Sequence, residues 1–216
     1  MSAREAMLET IRAAVRSGAN PLPRPDPDPG PSYRHAWDAP RPELLDRMEK
    51  RLRDYGAGVT RVASEAAIAG VAAQRLQERG IGSLLVPPGL PAAWRPSGPA
   101  VSEDAGQPSA MLDGFAGAMT GCALAIAETG TIVLDAGPRQ GRRAVTLLPD
   151  YWLCVVLAGQ LVGLVPEAVA RLRASVDQRR PLTFASGPSA TADIELRRVQ
   201  GVHGPRTLDI ILVEAG

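Results

Sequence analysis

Apolar residues recur at helical spacing in four stretches of this chain and gather into short continuous runs in several others, so helices and buried strands alternate along most of its length. From Ser2 to Arg16, Met7, Leu8, Ile11, Ala14 and Val15 fall on one helical face among arginines and glutamates. Ser2 is placed to cap the start and Gly18 to end it. Glu43 to Tyr55 and Ser64 to Arg79 repeat the pattern, the second with Ser64 as its expected N-cap, and Pro166 to Val176 predicts a fourth helix with proline in its first turn. Strands are expected at 58–62, at Gly82–Pro87, across Trp152–Leu157 and at Asp209–Val213, each short, apolar and bounded by turn residues. Residues 88–109, rich in glycine, proline and serine, read as irregular.

One stretch departs from this rhythm. Cys122–Ala127 and Thr131–Leu134 are apolar runs separated by Glu128-Thr129-Gly130 alone, which predicts a tight hairpin with Gly130 free to take a positive φ. Strand and helix alternation combined with one antiparallel hairpin argues for a mixed, mainly parallel sheet covered by helices on both faces, a three-layer α/β sandwich. Ligands of such sheets bind at the carboxyl ends of the strands, which directs attention to the loops.

Composition bounds the rest. Eight of the 20 prolines lie between Asn20 and Pro42, so the chain divides into an N-terminal helix with a proline-rich arm, residues 1–42, and one α/β domain, residues 43–216. A lone 15-residue helix is marginal in water and needs a surface to pack on. Apolar residues make up 45% of the chain, charged residues 22%, and the formal charge is +1, which gives no reason to expect a nucleic-acid partner. The most apolar window, Tyr151–Val165, is too short for a membrane span, and the N-terminus lacks the pattern of a secretory signal, so a cytoplasmic protein is expected. Cys122 and Cys154 sit in strand-like runs, read as small buried hydrophobes, and an iron–sulfur cluster would take about four such ligands. With His35 and His203 the only histidines, no metal site is expected, and no cofactor is assigned to the chain alone.

Four loops carry candidate chemistry. In Ser186-Gly187-Pro188-Ser189-Ala190-Thr191-Ala192-Asp193 a strand turns into an expected helix starting near Ser189, where free N–H groups and the hydroxyls of Ser186, Ser189 and Thr191 either cradle an anion or cap the helix, with Asp193 in its first turn. Glu128, on the turn with Thr129, Gly130 and Thr131, is rigidly held, as a nucleophile or general base must be, or is a solvated turn residue. The loop Gly137–Arg143, read as flexible, brings Arg142 and Arg143 to clamp an anionic substrate or simply to face water. His203, between glycines in Gly201-Val202-His203-Gly204-Pro205, can shuttle a proton or serve as a structural hydrogen-bond partner.

Taken in order, Ala127–Thr131, Gly141–Ala144 with Leu147–Pro149, Ser186–Glu195 and Gly201–Pro205 resemble the lactate-utilisation protein C family of the LUD-domain group. That resemblance implies a fold like that of the ribose-phosphate isomerase, glucosamine-phosphate deaminase and coenzyme A transferase superfamily. It implies a subunit supporting oxidation of L-lactate to pyruvate, with partner subunits holding the iron–sulfur clusters and this chain meeting a small anionic ligand. The alternative is a stand-alone acyl-CoA transferase or sugar-phosphate isomerase, since Glu128-Thr129-Gly130 is similar to the turn on which coenzyme A transferases carry their nucleophilic glutamate.

Overall fold

A computed structural model describes residues 2–17, 33–191, 199–200 and 203–215. The chain divides into two units, Met1–Arg34 and His35–Gly216. In the first, helix α1 (Ala3–Ser17) opens with a reciprocal cap: the Glu5 amide donates to Ser2 Oγ at 3.3 Å and the Ser2 amide to the Glu5 carboxylate at 2.7 Å. Met7, Ile11 and Val15 stand exposed along it.

The second unit is built on a six-stranded, all-parallel sheet in the order β1-β12-β7-β4-β2-β3. Its strands are β1 (Gly58–Val62), β2 (Ser83–Val86), β3 (Ala100–Glu103), β4 (Gly117–Thr120), β7 (Tyr151–Leu157) and β12 (Thr207–Val213). β7 and β12 are central and buried on both faces, which is why their sequences are continuous apolar runs rather than alternating ones. The pleat sends Trp152, Cys154 and Val156 to one core and Tyr151, Leu153 and Val155 to the other.

Helix α3 (Ile68–Glu78) covers one face with Ile68, Ala72 and Leu76. On the other face, α2 (Arg41–Asp54) contributes Leu44, Leu45, Met48 and Leu52 to a core shared with a second sheet. That four-stranded sheet, ordered β8-β5-β6-β9, contains the hairpin β5 (Leu124–Ile126) and β6 (Thr131–Leu134), with β8 (Leu161–Val162) and β9 (Thr183–Ala185) at its edges. Its far face packs on α6 (Val165–Asp177) through Val133, Val162, Ala168 and Leu172. The mixed α/β architecture is therefore present, and its antiparallel hairpin belongs to a sheet of its own. Two short helices, α4 (Ser109–Leu112) and α5 (Arg143–Leu147), close a small core around Leu85, Leu112 and Val145.

Three expectations need correction. Ser64 makes no side-chain cap; a single 3-10 turn at Glu65–Ala67 precedes α3. Residues 88–109 contain β3, which an alternating pattern does not reveal because it is a half-exposed edge strand. The loop Gly137–Arg143 is tied down by a buried carboxylate network rather than flexible. Both cysteines are buried and unbridged. Among the described residues, no helix is long and apolar enough to cross a membrane.

Candidate anion-binding cleft

Hairpin β5–β6 turns through Ala127-Glu128-Thr129-Gly130, and Gly130 takes φ +62°. A side chain there has no room, since a Cβ would lie 2.5 Å from Arg51 Cβ. The turn is braced from α2, where Arg51 Nε donates to the Glu128 carbonyl at 2.9 Å, and from beside β8, where the Gly163 carbonyl accepts the Glu128 amide at 3.1 Å. From this fixed point a file of hydroxyls runs inward: Thr129 Oγ1 and Thr131 Oγ1 are 2.7 Å apart, and Thr131 Oγ1 and Ser186 Oγ 2.8 Å.

Ser186 is where the file reaches a cleft of about 230 Å3. Its walls are the loop following β9 (Ser186, Gly187, Ser189), the start of α5 (Arg143, Thr146) and the loop preceding β12 (His203, Gly204, Pro205), with Trp152 of β7 also lining it. Trp152 is fixed by donating Nε1–H to Thr120 Oγ1 at 2.8 Å. Ser189 joins the two loops: its amide donates to the Pro205 carbonyl at 2.8 Å and its hydroxyl accepts the His203 amide at 3.1 Å. Gly187, at φ +146°, lets the chain pass close to Tyr55, where a Cβ would come within 2.9 Å.

The expected helix at Ser189 does not form. Its N–H is committed across the loop, and the next residues form strand β10 (Ala190–Thr191) paired antiparallel with β11 (Val199–Gln200). Strand pairing uses the backbone donors that a helix start would have left free. The loop after β9 therefore offers side chains rather than a helix end of its own. Thr191 lies on β10, and Asp193 falls outside the described residues.

Arg142 and Arg143, neighbours in sequence, separate in space. Arg142 grips the buried Asp104 with both arms of its fork, at 2.9 Å each, and also donates to the Gln107 carbonyl. Its donors are engaged in closing one loop on another, and it does not line the cleft. These bonds hold the Asp104 carboxyl below the usual carboxylate range, against the opposing effect of its burial. Arg143 does line the cleft and forms no ion pair among the described residues; Nη1 donates to Thr146 Oγ1 at 2.8 Å. Partial burial lowers its pKa, yet a guanidinium keeps its charge at any physiological pH. A positive charge beside Ser186, Ser189 and His203, with no anion among the described residues to balance it, suits a small carboxylate.

The structure thus brings Arg143, Ser186, Gly187, Ser189 and His203 together, connects Thr131 and Thr129 to them through Ser186, and leaves Arg142 out. Glu128 and Gly130 sit at the start of the hydroxyl file and do not line the cleft. Thr146 and Trp152 were missed; a lone threonine in a short helix and a tryptophan in an apolar run carry no signal of a site. Among the described residues, no cluster of three or more His, Cys, Asp or Glu side chains could hold a metal.

The LUD domain family matches residues 112–213, the part of the chain that contains every cleft residue up to Pro205. A lactate utilization protein C of Deinococcus radiodurans is 46% identical over 208 residues, covering 96% of this chain and 93% of that protein. A lactate utilization protein C of Halalkalibacterium halodurans is 41% identical over 93 residues, 41% of this chain and 40% of that protein. The crystal structure of a DUF162 family protein from Deinococcus radiodurans aligns with a TM-score of 0.71 at 41% identity, covering 82% of this chain and 99% of that one.

Proposed function

The chain belongs to the lactate utilization protein C family, and from that premise we propose that it serves a cytoplasmic lactate-oxidising system by holding the carboxylate of lactate or pyruvate in the Arg143 cleft. The observation that carries this reading is the Arg143 guanidinium, without an ion pair among the described residues, in one cleft with Ser186, Ser189 and His203. A guanidinium fork binds a carboxylate with charge-assisted hydrogen bonds, and the serines supply neutral donors for the 2-hydroxyl or 2-keto oxygen. Cys122 and Cys154 are too few for a cluster and are buried in the fold, which supports assigning the electron-carrying iron–sulfur centres to partner subunits. The hydroxyl file Thr129–Thr131–Ser186 then acts as a positioning device that links the hairpin turn to the bound ligand.

Deleting the gene tests the reading. Growth on L-lactate is lost and growth on glucose kept; the intact gene restores lactate growth, and a gene encoding Arg143→Gln does not. Normal lactate growth of the deletion strain sinks the proposal. A thioester on Glu128 after incubation with an acyl-CoA, read by mass spectrometry, would replace it with a transferase.

A further inference from the structure

Behind the loop that carries Arg143 lies a second and larger cavity, of about 520 Å3, which the lactate reading does not use. Three arginines reach it from three places in the fold: Arg139 from the loop after β6, Arg171 from α6 and Arg180 from the segment after α6. The single carboxylate in its wall, Asp135, is already saturated. Asp135 accepts from the Gly137 amide at 3.1 Å, Gln140 Nε2 at 2.8 Å and Ser175 Oγ at 2.7 Å, and pairs with Arg180 Nη1 at 2.9 Å.

Asp135 therefore balances Arg180 and leaves two positive charges over. Among the described residues Arg139 forms no ion pair and stacks over Trp94 at 5.5 Å, and Arg171 bonds only the Gly159 carbonyl, at 3.3 Å. The Arg180 Nε is buried without an acceptor among the described residues.

Backbone strain is gathered at the same place. Among the described residues, the non-glycine positions with positive φ are Ala136 at 52°, Arg139 at 67° and Arg179 at 56°. Ala136 and Arg139 belong to the cavity's loop, whereas Arg179 takes the left-handed position that ends α6, its amide donating to the Val176 carbonyl at 2.8 Å. Such conformations are unfavourable for side chains other than glycine and persist where the surroundings hold them, commonly at binding sites. Here the holding group is visible: the Asp135 amide donates to Gln140 Oε1 at 2.7 Å, and the Arg139 carbonyl accepts the Gly121 amide at 2.8 Å. Arg139 on this stiffened loop and Arg171 on α6, with no counter-charge among the described residues, are held in place for a ligand rather than for folding.

We propose that this cavity is a second ligand site, for a small organic phosphate. Two uncompensated guanidinium groups suit a dianion better than a monocarboxylate, and Leu124 and Leu172 offer an apolar wall for the remainder of the molecule. The volume falls within the ordinary range of small-molecule sites, roughly 300–1,000 Å3, and is more than twice that of the Arg143 cleft.

Calorimetric titration of the full chain with glycerol phosphate and adenosine monophosphate, against glycerol and adenosine, tests it. At least one phosphate binds saturably while its neutral counterpart does not. The double variant Arg139→Gln/Arg171→Gln, which leaves Asp135 and Arg180 paired, weakens that binding by about tenfold or more, whereas Arg143→Gln leaves it within about twofold. Arg171→Gln alone, at an exposed position, gives a measurable part of the loss if the double variant folds poorly. Absence of saturable binding by either phosphate, or equal binding by the double variant, overturns the proposal. Loss of phosphate binding in Arg143→Gln also overturns it, since the ligand then sits in the other cleft.

Discussion

Arg180 and Arg143, on the two sides of the loop from Asp135 to Arg143, are handled in opposite ways. On the Asp135 side the carboxylate is buried, four groups satisfy it, and Arg180 is neutralised within the protein. On the Arg143 side the guanidinium donates to the Thr146 hydroxyl and forms no ion pair among the described residues. The first arrangement holds the loop in place; the second leaves a guanidinium without an ion pair among the described residues. Adjacent Arg142 shows how little sequence position decides: one residue away, it is consumed by Asp104.

The comparison is most strongly tested at Asp135. Asp135→Ala strands Arg180 and removes the acceptor of Ser175 and Gln140, and is expected to cost about 3 kcal/mol or more in urea unfolding, because one partner of a buried pair is lost. A change below half of that would mean the network does not hold the loop. On the cleft side, Gly187→Ala forces a side chain into positive φ against Tyr55 and should lower stability by about 1 kcal/mol or more. An unchanged midpoint would show that the loop after β9 can relax.

Acid titration separates the two sides further. Burial pushes the Asp135 carboxyl up, but bonds from Ser175, Gln140 and Gly137 and the charge of Arg180 outweigh it and hold it below the ordinary carboxylate value. A depressed folded pKa contributes stability that is fully present above the unfolded value of about 3.9 and is lost as pH falls through the folded one. The stability gap between the parent protein and Asp135→Asn should be level near neutrality and shrink below about pH 4. A gap that widens in acid would reverse the sign of the account. The smallest effect is expected of Arg143→Gln, which breaks no ion pair and should shift stability by no more than about 0.5 kcal/mol while removing function.

Legibility in sequence followed the range of the interactions. Strands β7 and β12 announced themselves because burial on both faces demands unbroken apolar runs, and the hairpin because a three-residue gap with glycine admits little else. The loop after Ser186 was misread in form. A strand turning into a polar, hydroxyl-rich segment looks locally like a helix cap, and only the distant Pro205 carbonyl and β11 decide otherwise. The Asp135 network was invisible for the same reason, its partner Ser175 lying 40 residues away. Nothing local told Arg142 from Arg143, since the acid that captures the former is 38 residues upstream.

The central claim is that Arg143 is kept unpaired to receive a small carboxylate, and titrating pyruvate and L-lactate into the full chain addresses it most directly. The account predicts saturable binding of at least one of them to the parent protein and to Arg139→Gln/Arg171→Gln, and its loss in Arg143→Gln. Equal binding by parent and Arg143→Gln, or none by the folded parent protein, would contradict it.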